Sequence, residues 1–304
     1  MKNIKVIYSP ICEASIAFLY QLNKWFENTD VSVESAIFNN KSEAQKELYI
    51  KNEILVSGKM LESCFIDVFF QGKLINSIPL NMNQICSALG LVPTGKILKK
   101  ACFADVETNV VQEVRSSIND NNIQWLPITK KTAADEMTMC LYNHPHGNPP
   151  IQFHKNCIDA KMNIFNMVWE MENCAGIYAK YNDKVIGLLE VFPREILKKY
   201  GFMTGNIGND SEYLTVGCYE VALGMPRLEI IDELLRRLEM NYSLFNRSKI
   251  EGIGVFERPD GFTPYWVYDK YGFKRTETIT EYKVVMMKKF NTSFKRPRNT
   301  SIVN

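Results

Sequence analysis

The sequence predicts an α/β (α+β) chain of two units in tandem, each built on a mixed sheet. Three observations carry this. Residues 1–92 alternate β-branched runs with helix-period segments in the order β-α-β-α-β-β-α. The run Leu91-Val92-Pro93-Thr94-Gly95 then breaks the pattern with a proline and a glycine. Finally, residues 213–273 read strand, turn, helix, strand, aromatic helix. At 304 residues the chain has room for two cores, and 46% hydrophobic against 23% charged residues is ordinary for a globular protein.

In the first unit, Ile4–Tyr8 reads as a strand, and Ser9-Pro10-Ile11-Cys12 turns into a helix bearing Ile16, Phe18, Leu19, Leu22, Trp25 and Phe26. Val31–Phe38 alternates as a second strand, and 41–52 has a helical pattern. Cys64–Phe70 and Leu74-Ile75, joined across Gln71-Gly72, predict a hairpin, and Met82–Leu89 a last helix. Residues 93–122, with a helix near 106–118, read as a connector.

The second unit spans 123–290. It opens with a strand at Ile123–Ile128 and a helix at Thr132–Tyr142. Ala175–Tyr181 and Lys184–Phe192 flank Asn182-Asp183, a polar two-residue turn that marks a hairpin. Residues 193–212 carry Pro193, Gly201, Gly205 and Gly208 and read as an insertion. Tyr213–Ala222 is a strand, Leu223–Arg227 a turn with Pro226 set to open a helix, and Leu228, Ile231, Leu234, Leu235 and Leu238 recur at helical spacing. Ile250–Phe256 and Tyr282–Lys288 are further strands, and 291–304 is a polar tail.

The stretch from Tyr213 to Phe273, closing on Tyr268-x-x-x-Gly272-Phe273, resembles the GCN5-related N-acetyltransferases (GNAT superfamily). The resemblance implies acetyl-coenzyme A as cosubstrate and direct acyl transfer to an amine on a small molecule or peptide. It implies Tyr268 as the acid that protonates the leaving thiolate, and the Val221 backbone N–H as donor to the acyl carbonyl. It implies a coenzyme-binding stretch of Val221, Ala222, Gly224, Met225, Arg227 and Leu228. Aligning Leu234-Leu235 with the family's helix leucines sets Glu229 and Ile231 at the loop positions where the family has glycine. Glu220, beside Val221, is the candidate base. His144 and His146 lie where the family joins its first two helices, near the acceptor. Residues 1–92 resemble the thioredoxin-like fold, with Cys12 at the first cysteine position and Ser15 at the second. A thiol at a helix N-terminus has its thiolate favoured, which makes Cys12 a redox candidate.

Composition narrows the partners. A net charge of +2 gives no electrostatic case for nucleic acid or an anionic membrane. Scattered cysteines without a CxxC pair argue against a zinc ribbon or a disulfide framework, and point to a reducing, cytoplasmic setting. His144, His146, His154 and Cys157 fall close together, yet at no standard zinc spacing, so no metal is expected. A homodimer is among the assemblies the reading admits. Two other functions compete: a regulatory binding protein with a degenerate coenzyme site, and a monothiol redox protein acting through Cys12.

Overall fold

A computed structural model describes residues 1–11, 13–56, 59–60, 66–77, 81–92, 122–136, 151–222, 225–256 and 263–290. Expectations for Cys12, the connector, His144, His146, Gly224 and the tail lie outside the described residues.

The first sheet has the order β2-β1-β5-β6. Strand β1 (Lys2–Tyr8) pairs in parallel with β2 (Val31–Ile37) and antiparallel with β5 (Ile66–Phe70), which pairs with β6 (Lys73–Asn76). The β5–β6 turn is tight because Gln71 and Gly72 both take positive φ, as such hairpins require. Helix α1 (Glu13–Phe26) sets Phe18, Leu22 and Phe26 in one core with Ile4 and Val6. Helix α2 (Glu43–Lys51) starts where the Ser42 hydroxyl accepts from Gln45 N–H. It sets Tyr49 against Ile7, Phe38 and Phe69 on the other face. A short ladder of β3 (Leu55–Val56) and β4 (Lys59–Met60) adds to the order read from the sequence, and α3 (Met82–Ala88), capped by Asn81, ends it.

The second sheet runs β13-β14-β11-β10-β9-β8-β7, from β7 (Gln124–Pro127), β8 (Gly176–Tyr181), β9 (Lys184–Pro193), β10 (Tyr213–Val221), β11 (Lys249–Val255), β13 (Lys274–Thr278) and β14 (Lys283–Lys289). All its pairs along this path are antiparallel except β10–β11. One face carries the short α4 (Ala133–Glu136), α5 (Ile151–Met171) and α6 (Arg194–Lys199); the other carries α7 (Arg227–Met240) and α8 (Tyr265–Lys270). Helix α5 begins two residues after Pro149 and takes up His154 and Cys157. It also contacts α1, so a single apolar cluster joins the two units.

The insertion expected at 193–212 is a tied-down strap. It contains α6, a buried run at 201–205 and a 3₁₀ turn at Asp210–Glu212. Arg194, only 1% exposed, donates to the buried Glu251 of β11 through Nε at 2.9 Å and through its Nη2. Gly205 N–H joins the same carboxylate at 2.9 Å. Further along, Arg247 holds Glu172 and Glu195 at 2.8 and 2.7 Å.

Candidate functional site

The site begins with a defect in the second sheet. Strands β10 and β11 pair only from Tyr213↔Lys249 to Thr215↔Glu251. A bulge follows at Val216–Cys218, where a Cβ on Gly217 would lie 2.5 Å from the Phe192 ring. Bulges bend a strand, and this one lies in the pairing with β9, which resumes beyond it to Val221↔Gly187. Beyond this point β11 pairs instead with the two-residue β12 (Thr263–Pro264), so β10 and β11 diverge.

Hydrogen-bond alternation settles what the end of β10 offers. Ala222 N–H donates to Ile186 O of the β9 side at 2.9 Å. Val221 and Gly187 are therefore a non-hydrogen-bonded pair, and the Val221 N–H points the other way, toward the gap beside β11. Ala222 has no N–H left to give a ligand, and its carbonyl accepts from Met225 N–H at 3.0 Å. The side chains of Tyr219 and Val221 lie in the core beneath α7. Cys218 and Ala222 pack against the cluster on the α5–α6 face. Alternation thus sets Glu220 on that second face, opposite Tyr268.

Tyr268 is seated by glycine. A Cβ on Gly252 would lie 2.5 Å from both Cζ and Oη of the tyrosine, and a Cβ on Gly254 would lie 2.8 Å from the Tyr265 backbone. Helix α8 therefore lies directly on β11 over two glycines one repeat apart. The ring is 1% exposed and stands 5.3 Å from the Phe273 ring at 57°. Burial pushes the phenol well above its ordinary range, with the nearby Thr263 hydroxyl acting weakly against it.

Tyr219 was not anticipated from the sequence. Its phenol is also raised, by burial first and then by the Tyr268 phenol, while Thr263 and Arg227 oppose the shift. The Tyr219 and Thr263 hydroxyls are buried and make no hydrogen bond, and the Thr263 hydroxyl opposes the rise of the Tyr219 phenol. Three hydroxyls thus gather in the gap. The available signal was its position two residues before Val221, on the same strand face.

Helix α7 closes one side. Its N-cap is Pro226, which provides no side-chain cap, and the first intrahelical bond runs from Ile230 N–H to Pro226 O at 3.0 Å. The N–H groups of Arg227, Leu228 and Glu229 precede that bond, at the positive end of the helix dipole. Arg227 is exposed, with its guanidinium 5.8 Å from the Tyr219 ring centroid; Leu228 is exposed and Met225 half-buried. The alignment that sets Ile231 at a loop position is corrected. Ile231 is 1% exposed in the second turn of α7, because its face carries the core row Ile230, Leu234, Leu235 and Leu238. Glu229 is exposed in the first turn. Glu212, at the far end of β10, is held by Lys249 at 2.5 Å, which lowers its carboxyl pKa.

Among the described residues, no helix is long and apolar enough to cross a membrane. No protein-family model matches the chain, and no curated protein matches it. Acetyltransferases are among the solved structures that resemble it. Naa50 of Arabidopsis thaliana, in complex with a bisubstrate analogue CoA-Ac-MVNAL, is 15% identical over 56% of this chain and 99% of that one, with a TM-score of 0.32. An acetyltransferase from Thermus thermophilus is 9% identical over 56% and 97%, at 0.37. A GNAT-family acetyltransferase from Bacillus cereus is 11% identical over 56% and 98%, at 0.34. Likeness of this degree assigns neither an activity nor a ligand to this chain.

Proposed function

We propose that the second unit, 123–290, is an acetyltransferase of the GNAT type that moves an acetyl group from acetyl-coenzyme A to an amine of a small molecule or peptide. One observation carries the reading. Its support is that the Val221 N–H faces away from β9, while Tyr219, two residues earlier on β10, feels the Tyr268 phenol and has the Arg227 guanidinium at the start of α7 5.8 Å from its ring. The coenzyme diphosphate would rest on the N–H groups of Arg227 and Leu228, with the Arg227 cation beside it.

The chemistry follows from those groups. The amine nitrogen attacks the thioester carbonyl and forms the new C–N bond. The carbonyl oxygen becomes an oxyanion and accepts from the Val221 N–H. As the C–S bond breaks, the thiolate takes the Tyr268 proton, which a phenol holds at neutral pH. The proton lost by the amine passes to a base, for which Glu220, His144 and His146 are the candidates, and exchange with solvent restores the phenol after the products leave. Water exclusion around Tyr268 strengthens each of these interactions.

The residues fit the cosubstrate with one exception. Glu229 puts a carboxylate in the first turn, where it repels a diphosphate. That observation favours a second reading, a regulatory protein that keeps the fold and binds the coenzyme poorly. Calorimetric titration with coenzyme A and acetyl-coenzyme A separates the two. Binding in the micromolar range supports the enzyme; absence of binding at millimolar concentration overturns it. Given binding and an acceptor, Tyr268→Phe should lower turnover by about 10²–10⁴ with little change in coenzyme affinity. Equal turnover with chemistry rate-limiting removes Tyr268 from the mechanism.

The first unit, 1–92, is proposed to be thioredoxin-like, supported by its β2-β1-β5-β6 order with a parallel β1–β2 pair. Cys12 would sit at the start of α1, with the buried Ser15 hydroxyl one turn on. Residues 93–122 would link the units, 291–304 would form a tail, and the protein would act in the cytoplasm, as a monomer or homodimer.

A further inference from the structure

Where the two units meet there is a cleft of about 420 Å³ that the acetyltransferase reading leaves unused. One wall comes from the segment after β2 and from α2, the other from α6 and the strap that follows it. That volume falls in the range of small-molecule sites, which favour junctions between units. Phe38 and Phe202 form an apolar floor, 7% and 4% exposed, and Ile50 stands at the lip, 57% exposed. The lining includes Lys46 and Lys198 and, among the described residues, no carboxylate. The carboxylate partners lie outside it. Lys46 Nζ meets Glu43 at 2.8 Å, a pair whose acid is 78% exposed. Lys198 Nζ meets Asp210 at 2.7 Å, which is also 3.4 Å from Arg194 Nη1. The Lys46 pair is solvated and holds its ammonium weakly, whereas Lys198 and Asp210 are 27% and 34% exposed. The Asn206 side chain adds an amide to the rim.

We infer that this cleft binds a compact organic monoanion with an aromatic body, its carboxylate between the Lys46 and Lys198 ammonium groups and its ring on Phe38 and Phe202. Two cations on an apolar floor select such a ligand. A neutral arene lacks the charge, and an inorganic anion leaves the floor wet. The ordering of the strap couples the cleft to the second sheet, since Gly205 and Asn206 are bound by Glu251 and Glu277.

The test uses the full chain and 4-fluorobenzoate, observed by fluorine NMR. Saturable binding is expected, with 4-fluorobenzyl alcohol at least ten-fold weaker. Lys46→Gln with Lys198→Gln keeps the stems and removes the charges, and should weaken 4-fluorobenzoate at least ten-fold. Ile50→Trp, at an exposed helix position that folding tolerates, should fill the cleft and abolish binding. No binding by the wild type at millimolar concentration overturns the inference. So does equal affinity for the alcohol, or unchanged binding in the Ile50→Trp protein.

Discussion

Replacing Gly252 by alanine tests the seat of Tyr268 directly. The added Cβ would lie 2.5 Å from Cζ and Oη and 2.6 Å from Cε1 of the ring. An ordinary carbon contact is about 3.5–4.0 Å, so ring or strand must yield by about 1 Å. The ring has little freedom: it is 1% exposed and braced by Phe273. Overpacking of this kind costs about 1–3 kcal/mol, and urea denaturation followed by tryptophan fluorescence should register a loss in that range. The double mutants sharpen the argument. Tyr268→Phe retains Cζ and Cε1, so it should leave the cost of Gly252→Ala nearly intact. Tyr268→Ala removes the ring, so Gly252→Ala in that background should cost little, a coupling of about 1–3 kcal/mol. Full stability in the single Gly252→Ala protein, or additive losses with Tyr268→Ala, would refute the direct packing of α8 on β11.

Four further outcomes are expected. Arg194→Met leaves the Glu251 carboxylate buried beside Thr215 and Gly205 without its cation, and should cost about 3–5 kcal/mol by denaturation; a loss under 1 kcal/mol would mean the strap is held by packing alone. Burial pushes the Cys174 thiol up to about 11, so its thiolate is scarce at pH 8, and iodoacetamide followed by mass spectrometry should modify it far more slowly than Cys12, with the Cys174 rate rising as pH climbs toward 11. Tyr219→Phe removes a buried hydroxyl that makes no hydrogen bond, so the free protein should gain up to about 1 kcal/mol while acetyl-coenzyme A binds more weakly; unchanged affinity by calorimetry would take Tyr219 out of the site. Glu229→Gly removes a like charge at the start of α7 and should tighten coenzyme A binding, whereas weaker binding would show that the diphosphate rests elsewhere.

Local chemistry made much of the fold legible. The Asn182-Asp183 turn takes positive φ at both residues, so the hairpin of β8 and β9 could be read from a few letters. Likewise Pro226 marks the opening of α7, and Ile231, Leu234, Leu235 and Leu238 its buried face, while Leu228 at its start is 45% exposed. What failed to show was whatever depended on residues distant in sequence. Tyr219 and Thr263 stand 44 positions apart, and each alone is an ordinary strand residue. Periodicity set Ile231 on the helix while the family alignment set it at a loop position, because an alignment fixes letters, not helix phase; Ile230 against Gly187, where a Cβ would lie 2.5 Å away, fixes the phase. Helix α5 was hidden by the prolines just before it, although Pro is well tolerated at a helix start.

Glu251 and Gly252 explain how the gap holds its shape. They are consecutive on β11, so they face opposite sides of the sheet. The Glu251 carboxylate accepts from Thr215 Oγ1 at 2.8 Å, from Arg194 Nε and from Gly205 N–H. Thr215↔Glu251 is also the last paired position of β10 and β11. The ionic cluster therefore rivets the two strands at the point from which they part. On the other face Gly252 admits the Tyr268 ring against the backbone, one residue beyond the rivet. A buried ion pair is weak evidence of stability in itself, because desolvation offsets its attraction. Its value here is geometric: with the apex fixed, the distance from the Val221 N–H to the Tyr268 phenol is set by the divergence of two anchored strands. Proposed catalysis by those two groups depends on that spacing more than on either residue alone.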